Sequence, residues 1–364
     1  METVQQTTSR AWIRLGCLAV STVALFVVFR GVDVRALAAT FRNLHFGWFF
    51  AAIVLYGLSF LPGAWRWHLM LRLTGSAVHP AATARVALIG HFFCTILFGA
   101  AGGDVARSAL CARWYRLPVA GVLAAAALDR LLGFGGLALF AALAFALAAV
   151  NGAFNHGETI AWSWPASWVF AALGLAVVSS GLLFWRSGND SFWARWVRTF
   201  LHGGRHLISS PRIATQGLLC GFLVQAALSG VLALNLEAVA RSPLPWGKLI
   251  WTLPVIAGVS ALPITVSGLG VREGASLALL GLYGIPAADA VAAALLTFLV
   301  SLFWASLGGV LFWREGNWQP QQYPLPETIS VVIPALNEAD SLGETHEGGR
   351  SKDRPLLLSP NPSP

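Results

Sequence analysis

The sequence predicts an all-α polytopic membrane protein with about six full spans plus two re-entrant helical hairpins. Three observations carry that reading. Of the 364 residues, 56% are apolar and 11% are charged, where soluble domains carry about a quarter charged. The 24 Lys and Arg outnumber the 16 Asp and Glu, and the arginines sit in short stretches between apolar runs, as cytoplasmic loops of membrane proteins do. Two apolar segments, around 85–104 and 262–273, are interrupted by Gly, Pro and charge. Backbone of that kind is tolerated at membrane depth only where protein or a water-filled cavity surrounds it.

Taken in order, residues 12–29 form a first span, with Arg10 and Arg14 before its apolar run. With no small-residue cleavage site after it, the run reads as an uncleaved span rather than a signal peptide. Residues 31–45 put Val34, Leu37, Ala38 and Phe41 on one helical face, with Asp33, Arg35 and Arg42 elsewhere, the pattern of an interfacial amphipathic helix. A second span covers 46–69, closed by Trp65, Arg66, Trp67, His68 and Arg72, which the sequence places at the headgroups as anchors. Residues 85–101 barely suffice to cross and carry Gly90, His91 and Gly99. The next span is 117–150, with Asp129 and Arg130 about three turns inside it.

An acidic loop at 151–164, a span at 166–185 and a basic connector at 186–212 follow. Spans at 214–240 and 291–313 flank the broken stretch 249–284. Residues 1–313 thus read as one transmembrane domain. Residues 314–328 read as a Pro/Gln-rich linker, 329–345 as a strand fragment and 346–364 as a disordered tail. The sixteen Trp, among them Trp12, Trp48, Trp185, Trp193, Trp246, Trp251 and Trp313, fall near segment ends and fit interfacial belts.

Charge bias fixes the expected arrangement. The basic connector belongs inside the cell and the acidic loop outside. If every apolar run crossed fully, the two basic loops around 66–85 and 104–116 would face opposite sides. They share the cytoplasmic side if 85–101 enters and returns from it, and if 249–284 does the same from outside. Both termini are then cytoplasmic in a cytoplasmic (inner) membrane. The exception is the first external loop, where Arg30, Arg35 and Arg42 outnumber Asp33. Each half also holds a Gly-interrupted segment bearing an acid and an Arg, and paired breaks of this kind point to a midplane binding site.

Three constellations could carry that site. Asp104 and Arg107 are three apart and share a helical face. Gly102 and Gly103 before them would let a helix N-terminus seat a phosphate, or Asp104 simply caps a helix at the surface while Arg107 snorkels. Asp129 and Arg130 are adjacent, point about 100° apart and must find different partners. Gly268, Gly270, Arg272 and Glu273 follow the break. The Arg272 fork suits a phosphate, with Glu273 holding it in position. His91 reads as a packing histidine or a proton relay. Cys17, Cys94, Cys111 and Cys220 show no paired spacing and indicate neither disulfides nor zinc. No catalytic triad order, HExxH or phosphate-binding loop occurs. The expectation is therefore a non-enzyme without metal or cofactor, and the basic residues do not point to nucleic acid.

On these residues the chain resembles the flippase-like transmembrane family related to the membrane domain of lysylphosphatidylglycerol synthase. "GGDVARSALCAR" is similar to the family's Gly-Glu/Asp-x-x-Arg segment, "LDRLLGFGGL" to its Glu-Arg-Leu segment, and "SGLGVREGASLALLGLYGIP" to its Gly-Gly-Leu-Gly-x-Arg-Glu segment. The resemblance implies substrate-binding roles for Gly103, Asp104, Arg107, Asp129, Arg130, Gly268, Gly270, Arg272 and Glu273. Two departures stand out. The family's Asn and Pro before the first motif are missing from "CTILFGAAGGD", and its Ser-Pro-Gly-Gly is here Thr265, Val266, Ser267 and Gly268. No segment resembles the lysyl-transferring domain, so aminoacyl transfer is not expected. "TISVVIPALNEADSLGE" resembles the opening strand of family 2 glycosyltransferases, without a metal site after it, and suggests a separate glycosyltransferase as a partner. The resemblance implies a lipid translocase moving or binding an anionic or glycosylated lipid of polyprenyl, phospholipid or hopanoid type, with the lipid headgroup as its ligand. The alternative is a non-transporting scaffold for a lipid-modifying glycosyltransferase. The oligomeric state stays open.

Overall fold

Long apolar runs with few breakers become long helices, and the computed structural model shows where they fall. It describes residues 34–76, 78–154, 192–261 and 268–315, with Phe26 and Arg30 besides, within the compact unit Met1–Pro320. Among the described residues there is no strand. Helix α1 is Val34–Arg42, α2 Phe46–Leu73 and α3 Pro80–Phe92. A π-helical turn, Phe93–Phe98, leads to α4, Gly99–Trp114, and α5 is Val119–Val150. Then come α6, Phe192–Ser209, α7, Pro211–Val239, α8, Thr252–Ser260, α9, Val271–Gly281, and α10, Ala287–Glu315.

Four of these, α2, α5, α7 and α10, are long and apolar enough to cross a bilayer, which takes about 20 residues. The expected spans at 12–29 and 166–185, the loop beyond Phe154, the break at 262–267 and the strand fragment lie outside the described residues. Helix α10 runs on through Arg314 and Glu315, where the linker was expected to begin. Residues 186–212 are not a bare connector either. Most of them form the amphipathic helix α6, whose Phe200 and Leu207 pack inward. Arg195, Arg198 and Arg205 face outward.

Helices α3 and α4 form a hairpin. Gly90 lies against Arg107, and a Cβ on Gly103 would stand 2.6 Å from the Cys94 Cα. Nine residues of straight helix would separate Cys94 from Gly103 by about 13 Å, so the chain folds back between them. The α2/α3 and α4/α5 turns, both basic, therefore lie at one end of the bundle. Gly268, with φ +75°, likewise lies against Ser260, so α8 and α9 fold back on each other.

Directions of packing reveal an inverted repeat. Gly63 faces Val224 while Leu55 faces Gly230, so α2 and α7 run antiparallel. Gly217 faces Leu132 and Gly221 faces Gly136, so α5 and α7 run parallel. Val231 clusters with Val300 and Asn235 bonds Thr297, so α7 and α10 run antiparallel. The series amphipathic helix, long helix, hairpin, long helix thus occurs twice, in opposite directions. Each half has its own apolar core, one around Trp67, Met70, Ile89 and Leu128, the other around Leu236, Leu253, Ile256 and Leu296. Residues of both folded-back helix pairs line one cavity. Such an arrangement is shared with transporters whose sites sit where inverted repeats meet.

Candidate functional site

The cavity between the hairpins holds about 420 Å³. One wall is a row of alternating charges drawn from three helices. Arg66 of α2 donates from Nε to Asp129 Oδ1 of α5 at 2.7 Å. The other Asp129 oxygen stands 3.4 Å from Arg107 of α4, and Arg107 reaches Asp104 at 3.1 Å. Asp104 accepts from Arg130 Nε at 2.5 Å. Asp129 and Arg130 thus take different partners, as adjacent positions on a helix require. The row holds three arginines and two aspartates, and from Asp129 onward its exposure rises, from 5% for the Asp129 side chain to 41% for that of Arg130. Charges so placed are tolerable only because each is paired.

Arg66 is the residue sequence reasoning misplaced. Its neighbours in the sequence match a headgroup anchor, but α2 runs to Leu73 and leaves Arg66 two turns inside, buried. Its guanidinium fits because Gly133 and Gly221 carry no side chain. A Cβ on either would lie 3.2–3.3 Å from its terminal nitrogens. The signal was there in the Gly-x-x-x-Gly spacing of Gly217 and Gly221, which lets helices approach closely. Trp67 and His68 are buried too, and so is Trp251, while Trp48, Trp65 and Trp313 stay exposed. Of the anchors expected at this helix end, only Trp65 and Arg72 face outward. The Arg107 guanidinium covers the Trp67 ring at 4.3 Å, a cation–π contact that fixes it further.

The opposite wall comes from the other half. Gly268 and Arg272 line the cavity, with Ser229, Ser260 and Thr297 nearby. Gly270 and Glu273 do not. Gly270, at φ +85°, is the N-cap of α9, and its N–H donates to Glu273 Oε2 at 2.6 Å. Glu273 Oε1 stands 3.7 Å from Arg272 Nε, too far for a hydrogen bond. Glu273 therefore occupies the helix N-terminus and fixes the turn that carries Arg272, while standing in ion-pair range of the guanidinium. The expected phosphate seat at a helix start near Gly103 is also absent. Asp104 is the sixth residue of α4, and Gly103 serves the close approach to Cys94. Between the walls, His91 Nε2 lies 3.4 Å from Tyr56 Oη and 3.2 Å from the Ser301 carbonyl, so it links α2, α3 and α10.

An arginine-rich wall with its charges mostly satisfied internally can receive one further anion. Among the described residues no group of His, Cys, Asp and Glu could hold a metal ion. The sequence profile of the family described as the lysylphosphatidylglycerol synthase TM region matches residues 15–309. A search of curated proteins found no match.

Proposed function

The chain belongs to the lysylphosphatidylglycerol synthase transmembrane family, a membrane protein tied to lipid metabolism, and from that premise we propose that it is a lipid translocase. The lipid's anionic headgroup enters the cavity between the hairpins and its tails stay in the bilayer. The observation that carries this reading is the row Arg66, Asp129, Arg107, Asp104 and Arg130. It has one positive charge in excess and ends on its most exposed member at the cavity. Arg272 approaches from the other half. Two arginines from oppositely directed repeats suit a phosphate handed from one half to the other. No step of bond chemistry is assigned to the chain.

Orientation follows from charge. Arg72, Arg113, Arg116, Arg198, Arg205 and Arg212 gather at the end where α2 and α4 finish and α7 starts, which we assign to the cytoplasm. The α3/α4 hairpin then re-enters from inside and the α8/α9 hairpin from outside. With the expected spans at 12–29 and 166–185 the count is six.

The test is dithionite bleaching of fluorescent phospholipids in reconstituted vesicles. Wild type should scramble lipid faster than empty vesicles, and Arg130→Gln with Arg272→Gln should return the rate to that background. Vesicles with wild type that behave like empty ones would sink the translocase and favour the scaffold.

A further inference from the structure

A second basic site lies outside the central cavity, at the bundle end where α2 finishes. Arg72 of α2 and Arg198, His202, Arg205 and His206 of α6 surround a groove of about 820 Å³ whose floor is the Thr74–Gly75 turn. Among the described residues no acidic side chain lines it. Its shape is held by packing. A Cβ on Gly203 would stand 2.7 Å from Leu128 Cδ1 and 3.5 Å from Thr74 Cγ2, so α6 is seated directly on α5 and the α2/α3 turn. The same helix presents Leu201 and Ile208 outward, 54% and 84% exposed. Buried Arg66 and Asp129 explain nothing here, since this cluster shares no residue with the row.

We propose that this groove binds the phosphate of an anionic phospholipid in the adjoining leaflet. The charge calls for an anion, and the arginine forks suit a phosphodiester. The exposed apolar side chains beside the groove select a lipid over a soluble phosphate, because its tails can cover them. A helix with basic groups toward headgroups and apolar groups toward acyl chains is drawn to an anionic surface by each of its basic residues. The bound lipid pins α6 against the α2/α3 turn.

Native mass spectrometry of the full chain in detergent, with phosphatidylglycerol or phosphatidylcholine added, tests this. Wild type should retain phosphatidylglycerol through a site that phosphatidylcholine does not fill. The double variant Arg198→Gln/Arg205→Gln should bind it about tenfold more weakly or worse. Arg241→Gln, an exposed change at the other end of the bundle, should keep the adduct, and in a background of Arg130→Gln/Arg272→Gln, where the central cavity holds no headgroup, an adduct sensitive to Arg198→Gln/Arg205→Gln should remain. The last comparison makes this site's failure distinguishable from failure of the translocase reading. Equal retention of the two lipids would overturn the proposal, as would an undiminished adduct in the Arg198/Arg205 variant. Full displacement by millimolar inorganic phosphate would show a free-phosphate site and overturn the lipid assignment.

Discussion

Arg66 and Asp129, 63 positions apart in the chain, meet at 2.7 Å in the interior and join α2 to α5. Asp129→Asn removes the carboxylate that serves both Arg66 and Arg107. Breaking a buried pair from one side costs about 3–5 kcal/mol, so the thermal unfolding midpoint in detergent should fall well below that of wild type. The double variant Arg66→Met/Asp129→Leu should recover part of that loss, because Arg66 is no longer left unpaired and Arg107 keeps Asp104 as its partner.

Arg130 ends the same row half exposed, and solvent can replace its partner. Arg130→Gln should leave the unfolding midpoint within a few degrees of wild type while lipid scrambling falls about tenfold or more, as loss of one charge-assisted hydrogen bond of 1.5–3 kcal/mol implies. A large fall in stability with normal scrambling would reverse the roles assigned to Arg130 and Arg66.

Gly103 lets α4 lie on the backbone of Cys94. In Gly103→Ala the new methyl would meet Cys94 Cα at 2.6 Å and its nitrogen at 2.9 Å, and backbone cannot yield as a side chain can. Overpacking of this kind costs about 1–3 kcal/mol. Gly47→Ala, where nothing lies within 4 Å, is the control and should unfold at or slightly above the wild-type temperature.

Glu273 closes the first turn of α9 through the Gly270 N–H. Glu273→Ala should destabilise by about 1 kcal/mol or more, the usual worth of a cap. Glu273→Gln, which keeps an acceptor, should lose less. The readout is hydrogen exchange at the amides of 271–275, faster in the alanine variant; unchanged protection would remove the capping role.

Hairpin geometry also fixes which turns share a side. Cysteines at His79 and Arg113, both exposed, should react with an impermeant maleimide from the same face of sealed vesicles. Cysteines at Arg241 and Leu282 should react from the opposite face. Opposite labelling of His79 and Arg113 would mean that 80–114 crosses the membrane.

The four long helices were legible because uninterrupted apolar length dictates a span, and the breaks around 85–104 and 262–273 because Gly and charge, with Pro263 in the second, interrupt their apolar runs. The pairing of Asp104 with Arg107 followed from helical spacing alone. Less local features were hidden. Arg66 resembled an interfacial anchor, since the charge and aromatics around it match those of a helix end. The Gly217 and Gly221 spacing signals close packing, and the apposition of Gly133 and Gly221 locates the space reserved for it. Helix α6 was masked by its charge, because a basic run reads as a loop unless the spacing of Trp196, Phe200 and Leu207 is weighed against it. The inverted repeat left little residue-level trace, since the charged row exists in one half only.

That row begins and ends on arginine. An anion arriving at Arg130 would compete with Asp104 for one guanidinium, and Asp104 would then lean on Arg107. Arg107, drawn toward Asp104, would give up its longer 3.4 Å contact and leave Asp129 to Arg66 alone. Headgroup capture at one end would thereby tighten the clasp between α2 and α5 at the other. On the translocase reading the row would act as a latch, with the headgroup as its key.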